Sequence, residues 1–450
     1  MAARVKPEEA AILAVRAAME AGATEAEAYV EVVRGSEATA MNNRVAGVRG
    51  ISEAGVGVRA VVGKKVGFSF AASLELNEIR EAARRAVAAA RAAPEDPYWS
   101  GFPEPSDYYP RPEGTYDSSI AGMRVSRVVS ELKAMLDEAL SVEGVNVERA
   151  LVRSVVVEKA LASTSATLVY DIGTIVLMWI GLNVVKDNVV TPVVYEVDYG
   201  RVSVPSARML ARRAVEEATR SLATEKLTEP RRMSVVFHPK ALGELLEYTL
   251  LQAITGEAVA RGASPYAGRI GEQVMDERLT IIDDGLMRQG FETWRFDGEG
   301  VAQQRTVVVE KGVFKTPLYN SYWASRMNTE STGNARRSYM STPRIGATNV
   351  VIEPGDAGID ELLEGEVLLV TGVQGAHSSN TVTGEYSVVA SPAWIVRKGE
   401  YRLVQGVMIA GNIYEQLAKS IEMIGSWQER LPGLKAPWVR IGDVVVTPRM

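Results

Sequence analysis

Residues able to move protons or hold a metal are sparse in this chain, and they fall in a few short segments. Among 450 residues there are two histidines and no cysteine. Any reactive constellation must therefore be assembled from carboxylates, arginines, lysines and hydroxyls, and disulfides, thiolate nucleophiles and thiolate metal sites are excluded. His238 stands before Pro239, where a strand gives way to a helix and an imidazole commonly caps the turn. His377 lies in Gly375-Ala376-His377-Ser378-Ser379-Asn380, a polar, glycine-containing loop of the kind that lines clefts. It is a candidate for contact with a substrate or partner, although one histidine cannot make a zinc site. Asp283-Asp284 and Asp297-Gly298-Glu299 bring four carboxylates close in sequence, with Arg269, Arg295 and Arg305 nearby. Such carboxylates can serve acid–base chemistry, or at loop ends can pair with arginines and cap turns. Asp284 and Glu299 are the cleft candidates among them. Arg336 and Arg337, in Thr332-Gly333-Asn334-Ala335-Arg336-Arg337, could cradle a peptide carboxylate, since a guanidinium binds carboxylates bidentately. No Gly-x-Ser-x-Gly elbow is present. Gly55-x-Gly57 lies within an alternating strand, where glycine serves close packing or a bulge and not nucleotide binding.

The segment from Pro239 carries Leu242, Leu245, Leu246, Thr249, Leu250 and Ala253 at three- and four-residue steps, which predicts one amphipathic helix with a buried face. Glu247, Tyr248 and Gln252 fall outside that apolar stripe. Downstream come Arg269-Ile270-Gly271-Glu272, Ile281-Ile282-Asp283-Asp284, Phe296-Asp297-Gly298-Glu299-Gly300-Val301, Thr332 to Arg337 and Thr383-Gly384-Glu385-Tyr386-Ser387. In order and spacing these resemble the successive motifs of the TldD/PmbA family. Gly22 to Tyr29, Gly55 to Arg59 and Pro94 to Tyr98 extend the resemblance over nearly the whole chain.

The family resemblance implies a two-subunit zinc metallopeptidase. Its TldD-type subunit carries H-E-x-x-x-H and a cysteine ligand, and its PmbA (TldE) type lacks them. Placed without a gap from Arg269, that motif falls on Glu247-Tyr248-Thr249-Leu250-Leu251-Gln252. Both imidazoles and the general base are thus replaced. The implied role is a non-catalytic, PmbA/TldE-like subunit with no metal of its own, inactive alone, forming part of a chamber in which unfolded peptides are hydrolysed. The zinc is then expected in a TldD-type partner. Two alternatives are a stand-alone peptide-binding homodimer, pairing with itself, and an unconventional metallopeptidase active by itself.

The net charge of −6 gives no electrostatic reason to bind nucleic acid or an anionic membrane. The most apolar run, Ile172 to Val185, is interrupted by Gly173, Thr174, Gly181 and Asn183 and is too short to span a bilayer, so it reads as buried strand. The charged first turn at Glu8-Glu9 follows Lys6-Pro7 with no apolar leader, and the expected location is the cytoplasm.

These residues need scaffolding elements. A first helix is predicted from Pro7 to Gly22, its stripe formed by Ile12, Val15 and Met19. A hairpin follows through Gly63-Lys64-Lys65, and an alanine-rich helix spans about Leu76 to Ala93. Pro94 to Tyr116 reads as an ordered surface loop. Further helices are predicted over Ser119 to Leu140 and Val204 to Leu222, with several strands across Val152 to Val197. The fold class is α+β: an N-terminal domain (1–228) of antiparallel sheet with flanking helices, then a β-rich, barrel-like C-terminal domain (229–450) with a few helices. Thr228-Glu229-Pro230 marks the division.

Overall fold

The computed structural model describes residues 5–448. Its N-terminal half is one antiparallel sheet of long strands: β1 (Glu25–Met41), β2 (Arg44–Val62), β3 (Lys65–Ala71), β4 (Val145–Ser163), β5 (Leu168–Lys186), β6 (Val189–Val190) and β7 (Val194–Gly200). The order is β3-β2-β1-β4-β5-β6, with β7 also paired to β5. Helices α1 (Pro7–Glu20), α2 (Leu76–Ala92), α3 (Ser118–Ala121), α4 (Val125–Leu140) and α5 (Ala207–Arg220) complete this half. The alternation of strand side chains decides what each face meets. Ala26, Ala28, Val30 and Val32 of β1 pack under α1 and α2, while Ala150 and Val152 of β4 pack with α4 and α5. The intervening side chains, including Glu27, Tyr29, Arg59, Lys159 and Leu161, face the C-terminal half.

Helix α1 corrects the predicted stripe. Its buried residues are Pro7 and then Ala10, Ala11, Ala14, Ala17 and Ala18, whereas Ile12 and Met19 are exposed. The alanines of β1 opposite them let helix and sheet approach too closely for larger side chains. The same closeness recurs at Gly67 of β3, where a Cβ would lie 2.2 Å from the Ala90 nitrogen of α2. The single helix expected over 119–140 is divided into α3 and α4. The loop between α2 and α3 is packed by its aromatics, with Trp99 against Phe102 and the Tyr109 hydroxyl donating to the Gly300 carbonyl at 2.7 Å.

The C-terminal half curls two sheets around a shared core. β8 (Thr224–Glu225) and β9 (Arg231–Phe237) both belong to a ten-stranded sheet, in which β9 lies between strands 366–370 and 439–448. The turn at Thr228-Glu229-Pro230 lies between these two strands. The six-stranded sheet comprises 313–314, 305–310, 281–284, 350–352, 434–436 and 429–431. Helix α6 (Pro239–Glu247) and helix α7 (Leu250–Ala253) contribute Ala241, Leu242, Leu245, Leu246, Leu250 and Ala253 to the core between the sheets. Each buried leucine contributes about 2 kcal/mol, which holds these short helices in place although helices of this length are marginal in isolation. The mixed α+β class and curled, barrel-like C-terminal sheets agree with the sequence reading.

Candidate functional site

The site is organised by the junction of β9 and α6. His238 caps α6: its Nδ1 accepts from the Lys240 N–H at 3.1 Å, while its Nε2 stands 2.9 Å from Glu429 and its ring edge faces Trp438. Burial works to raise the Glu429 carboxyl, but hydrogen bonds from His238 and Trp438 outweigh it and hold that group low. This histidine is accounted for by capping. Lys240 extends into the seam between the halves and joins Glu217 at 3.1 Å and Glu196. The pair of carboxylates responds unequally. Burial raises Glu196, whereas Lys240 and the Thr371 hydroxyl overcome burial at Glu217 and lower it.

The expected continuous helix is broken. α6 ends at Glu247, and Thr249 has φ −128 and ψ −88, outside helical values. Its Oγ1 donates to the Leu245 carbonyl at 2.7 Å, a side-chain bond that competes with the helical ladder. Gln252 closes the gap by donating from Nε2 to the Glu247 carbonyl at 3.1 Å. In an unbroken helix residues 247 and 252 would project about 140° apart. Here both line one cleft of about 600 Å³, together with Glu244, Leu246 and Leu251. The opposite walls are Gly346 to Thr348 and Leu431 to Leu434, and the floor carries Glu292 and Arg336. Burial and the neighbouring Glu247 raise Glu244 above its ordinary value.

The sequence-selected residues separate into four places. Glu247, Gln252 and Arg336 meet at the cleft. Tyr248 is 38% exposed and turns away from it, its ring 6.3 Å from that of His377, which sits in a one-turn helix at the surface. Arg337 and Glu299 lie in the seam. The Arg337 side chain is fully buried and bonds Glu27, which also accepts from Arg59 at 2.7 and 3.0 Å; Arg59 in turn reaches Glu299 at 3.2 Å. Neighbouring arginines part because Ala335–Arg336 is extended, so successive side chains face opposite ways. The Arg336 guanidinium is also engaged, pairing with Glu292 at 2.8 Å and donating to the Ala347 carbonyl at 3.1 Å. Asp284 is elsewhere, accepting from the Leu286 N–H at 3.0 Å beside a separate depression with Arg305 and Lys435. Its neighbour Asp283 is buried and takes hydrogen bonds from Asn334 and Thr348; burial nevertheless raises it to about 6.

The sequence reading missed Glu292, Trp294 and Lys159. Lys159 had a signal: on β4 it shares the alternation of Val155, Val157 and Leu161, so it occupies an apolar register position. Nothing local marked Glu292 as the partner of Arg336.

A zinc site of the peptidase type does not fit the helix junction. The junction offers the cleft the Glu247 carboxylate and the Gln252 amide but no imidazole, and Tyr248 does not line the cleft. Among the described residues no cluster of three or more histidines or carboxylates is arranged to hold a metal.

The comparisons with known proteins agree with this architecture. Residues 230–448 match the PmbA/TldA metallopeptidase C-terminal domain and residues 26–90 match PmbA/TldA metallopeptidase domain 1. An uncharacterized protein of Methanocaldococcus jannaschii is 30% identical over 376 residues, covering 82% of this chain and 84% of its own. A metalloprotease TldD homolog of Haemophilus influenzae is 25% identical, covering 83% of this chain and 80% of its own. The crystal structure of TldE from Thermococcus kodakarensis superposes with a TM-score of 0.90 at 27% identity, covering 97% of this chain and 100% of that one. With both halves matched and the fold shared end to end, the chain belongs to the PmbA/TldD family of metallopeptidase-related proteins.

Proposed function

We propose that this chain is the non-catalytic, PmbA/TldE-like subunit of a TldD/PmbA-type zinc metallopeptidase. It pairs with a TldD-type subunit that carries the zinc, and it contributes part of the wall of a chamber where unfolded peptides are hydrolysed. It works in the cytoplasm. The observation that carries this reading is the cleft beside α6 and α7: a peptide-sized concavity remains where the family resemblance puts the metal helix, while the ligands there are replaced by Glu247 and Gln252. The likeness to TldE supports the same subunit type.

The test is co-expression with a TldD-type protein carrying H-E-x-x-x-H, followed by light scattering, zinc analysis and a peptidase assay. The two chains should co-elute, zinc should follow the partner, and chelator-sensitive cleavage of an unfolded peptide should require it. Stoichiometric zinc and cleavage by this chain alone would overturn the reading.

A further inference from the structure

A recess of about 60 Å³ adjoins the cleft and shares Glu292 and Arg336 with it, so the two meet at the Arg336–Glu292 ion pair. Its other walls include Lys159, Trp294, Phe296 and Asp297. β4 delivers Lys159 there, with its ammonium 3.8 Å from the centre of the Trp294 ring. Among the described residues no carboxylate forms a salt bridge with this ammonium. Glu31, Glu292 and Asp171 act on it only at longer range, against Arg336, and burial lowers it to about 8. Asp297 does not serve as its counter-ion: Oδ1 accepts from the Glu299 and Val301 N–H groups and Oδ2 from Ala335, while burial and Glu299 push its carboxyl up to about 8. Arg336 and Arg337 already have carboxylate partners. Arg337, although paired with Glu27, keeps its Nε and Nη2 buried without an acceptor, whereas Lys159 is the cation lining this recess that, among the described residues, has no salt-bridged carboxylate at all.

We propose that the recess is a carboxylate subsite, in which the Lys159 ammonium binds the terminal carboxylate of a short peptide lying in the cleft. An ammonium out of bulk water without a partner is costly, and a monoanion that accepts its hydrogen bonds offsets that cost. The small volume and the adjacent Glu292 disfavour a phosphate dianion. The recess admits only a chain end or a side-chain tip, while the cleft in front has room for about three or four residues. This subsite rests on the peptide-binding reading above and narrows it to peptides that present a carboxylate.

The test is calorimetric binding of tetra-alanine as free acid and as C-terminal amide, with acetate alone and an amidated peptide ending in glutamate as further arms. The free acid should bind wild type at least about tenfold tighter than the amide, and Lys159→Met should abolish the difference while leaving amide affinity unchanged. Rescue by the amidated glutamate peptide would identify side-chain carboxylates as equivalent ligands, and saturable binding of acetate would identify the recess as a site for free small acids. Both retain the carboxylate assignment and name its source. Lys159→Met removes a cation that has no salt-bridged carboxylate but keeps an apolar chain against the Trp294 ring, and should change the melting temperature little; Lys159→Gln repeats the comparison if it falls. Equal binding of acid and amide, unchanged in the Lys159 variants, would overturn the subsite while leaving the cleft intact. Binding of neither peptide would overturn the subsite together with the peptide-binding reading.

Discussion

Single residues in this protein owe their properties to which side of a strand they occupy. Asp283 and Asp284 are adjacent, yet the first is enclosed and the second faces a surface depression. Burial places the folded-state value of Asp283 at about 6, above the ordinary 3.8. Below about pH 4 the group is protonated in folded and unfolded chains alike. Between about 4 and 6 the folded chain retains a proton that the unfolded chain releases, so stability falls as pH rises through that window. The loss amounts to about 3 kcal/mol once both states are ionised. Urea unfolding of wild type and Asp283→Asn at pH 4 and pH 7 should show the stability difference between them shifting in favour of the variant by about that amount. A difference that stays constant with pH would contradict this assignment.

At the scale of elements, the informative feature is the interruption between α6 and α7. Residues 247 and 252 share the cleft because Thr249 leaves helical geometry, and the same break carries Tyr248 to the His377 side. On the subunit reading proposed above, giving this junction peptidase chemistry would therefore require more than side-chain identity. The variant Glu247→His, Tyr248→Glu, Gln252→His places two imidazoles at the cleft but supplies no third protein ligand. It should bind zinc weakly and hydrolyse no peptide on its own, as checked by metal titration and a fluorogenic peptide assay. Zinc-dependent turnover by that variant alone would reveal a further ligand. A second element-scale feature is Gly57 of β2, where a Cβ would fall 2.3 Å from the Tyr339 carbonyl oxygen. The glycine pattern of β2 thus serves close approach of a distant segment.

For the whole molecule, the seam between the two halves is held by a buried chain of charges, Arg337–Glu27–Arg59–Glu299, and by the Lys240 cluster. Glu27 stays low despite burial because both arginines attract and hydrogen-bond it. Glu27→Gln leaves two buried guanidiniums facing the single carboxylate of Glu299, an imbalance that costs about 3–5 kcal/mol. Thermal unfolding should register the loss, and amide exchange should accelerate first in residues 335–339 and in the facing parts of β1 and β2. A loss below about 1 kcal/mol would mean that solvent reaches the seam and relieves the charge.

The sequence by itself determined the α+β class, the main helices and strands, and the family. These follow from local periodicity, turn residues and motif order, which survive without knowledge of partners. It also determined that residues 239–253 carry no histidine and the chain no cysteine, because residue identities need no fold to be read. Tertiary structure decided everything that depends on facing. It buried an alanine stripe on α1 where larger residues were expected, since helix and sheet lie close. It split Arg336 from Arg337, sending one to Glu292 at the cleft and the other to Glu27, 310 residues away. It brought Lys159 onto the Trp294 ring beside the Arg336–Glu292 pair, a partnership that its apolar register position on β4 marks only as unusual. Pairing across such separations is fixed by which buried faces meet, and no short-range pattern encodes that.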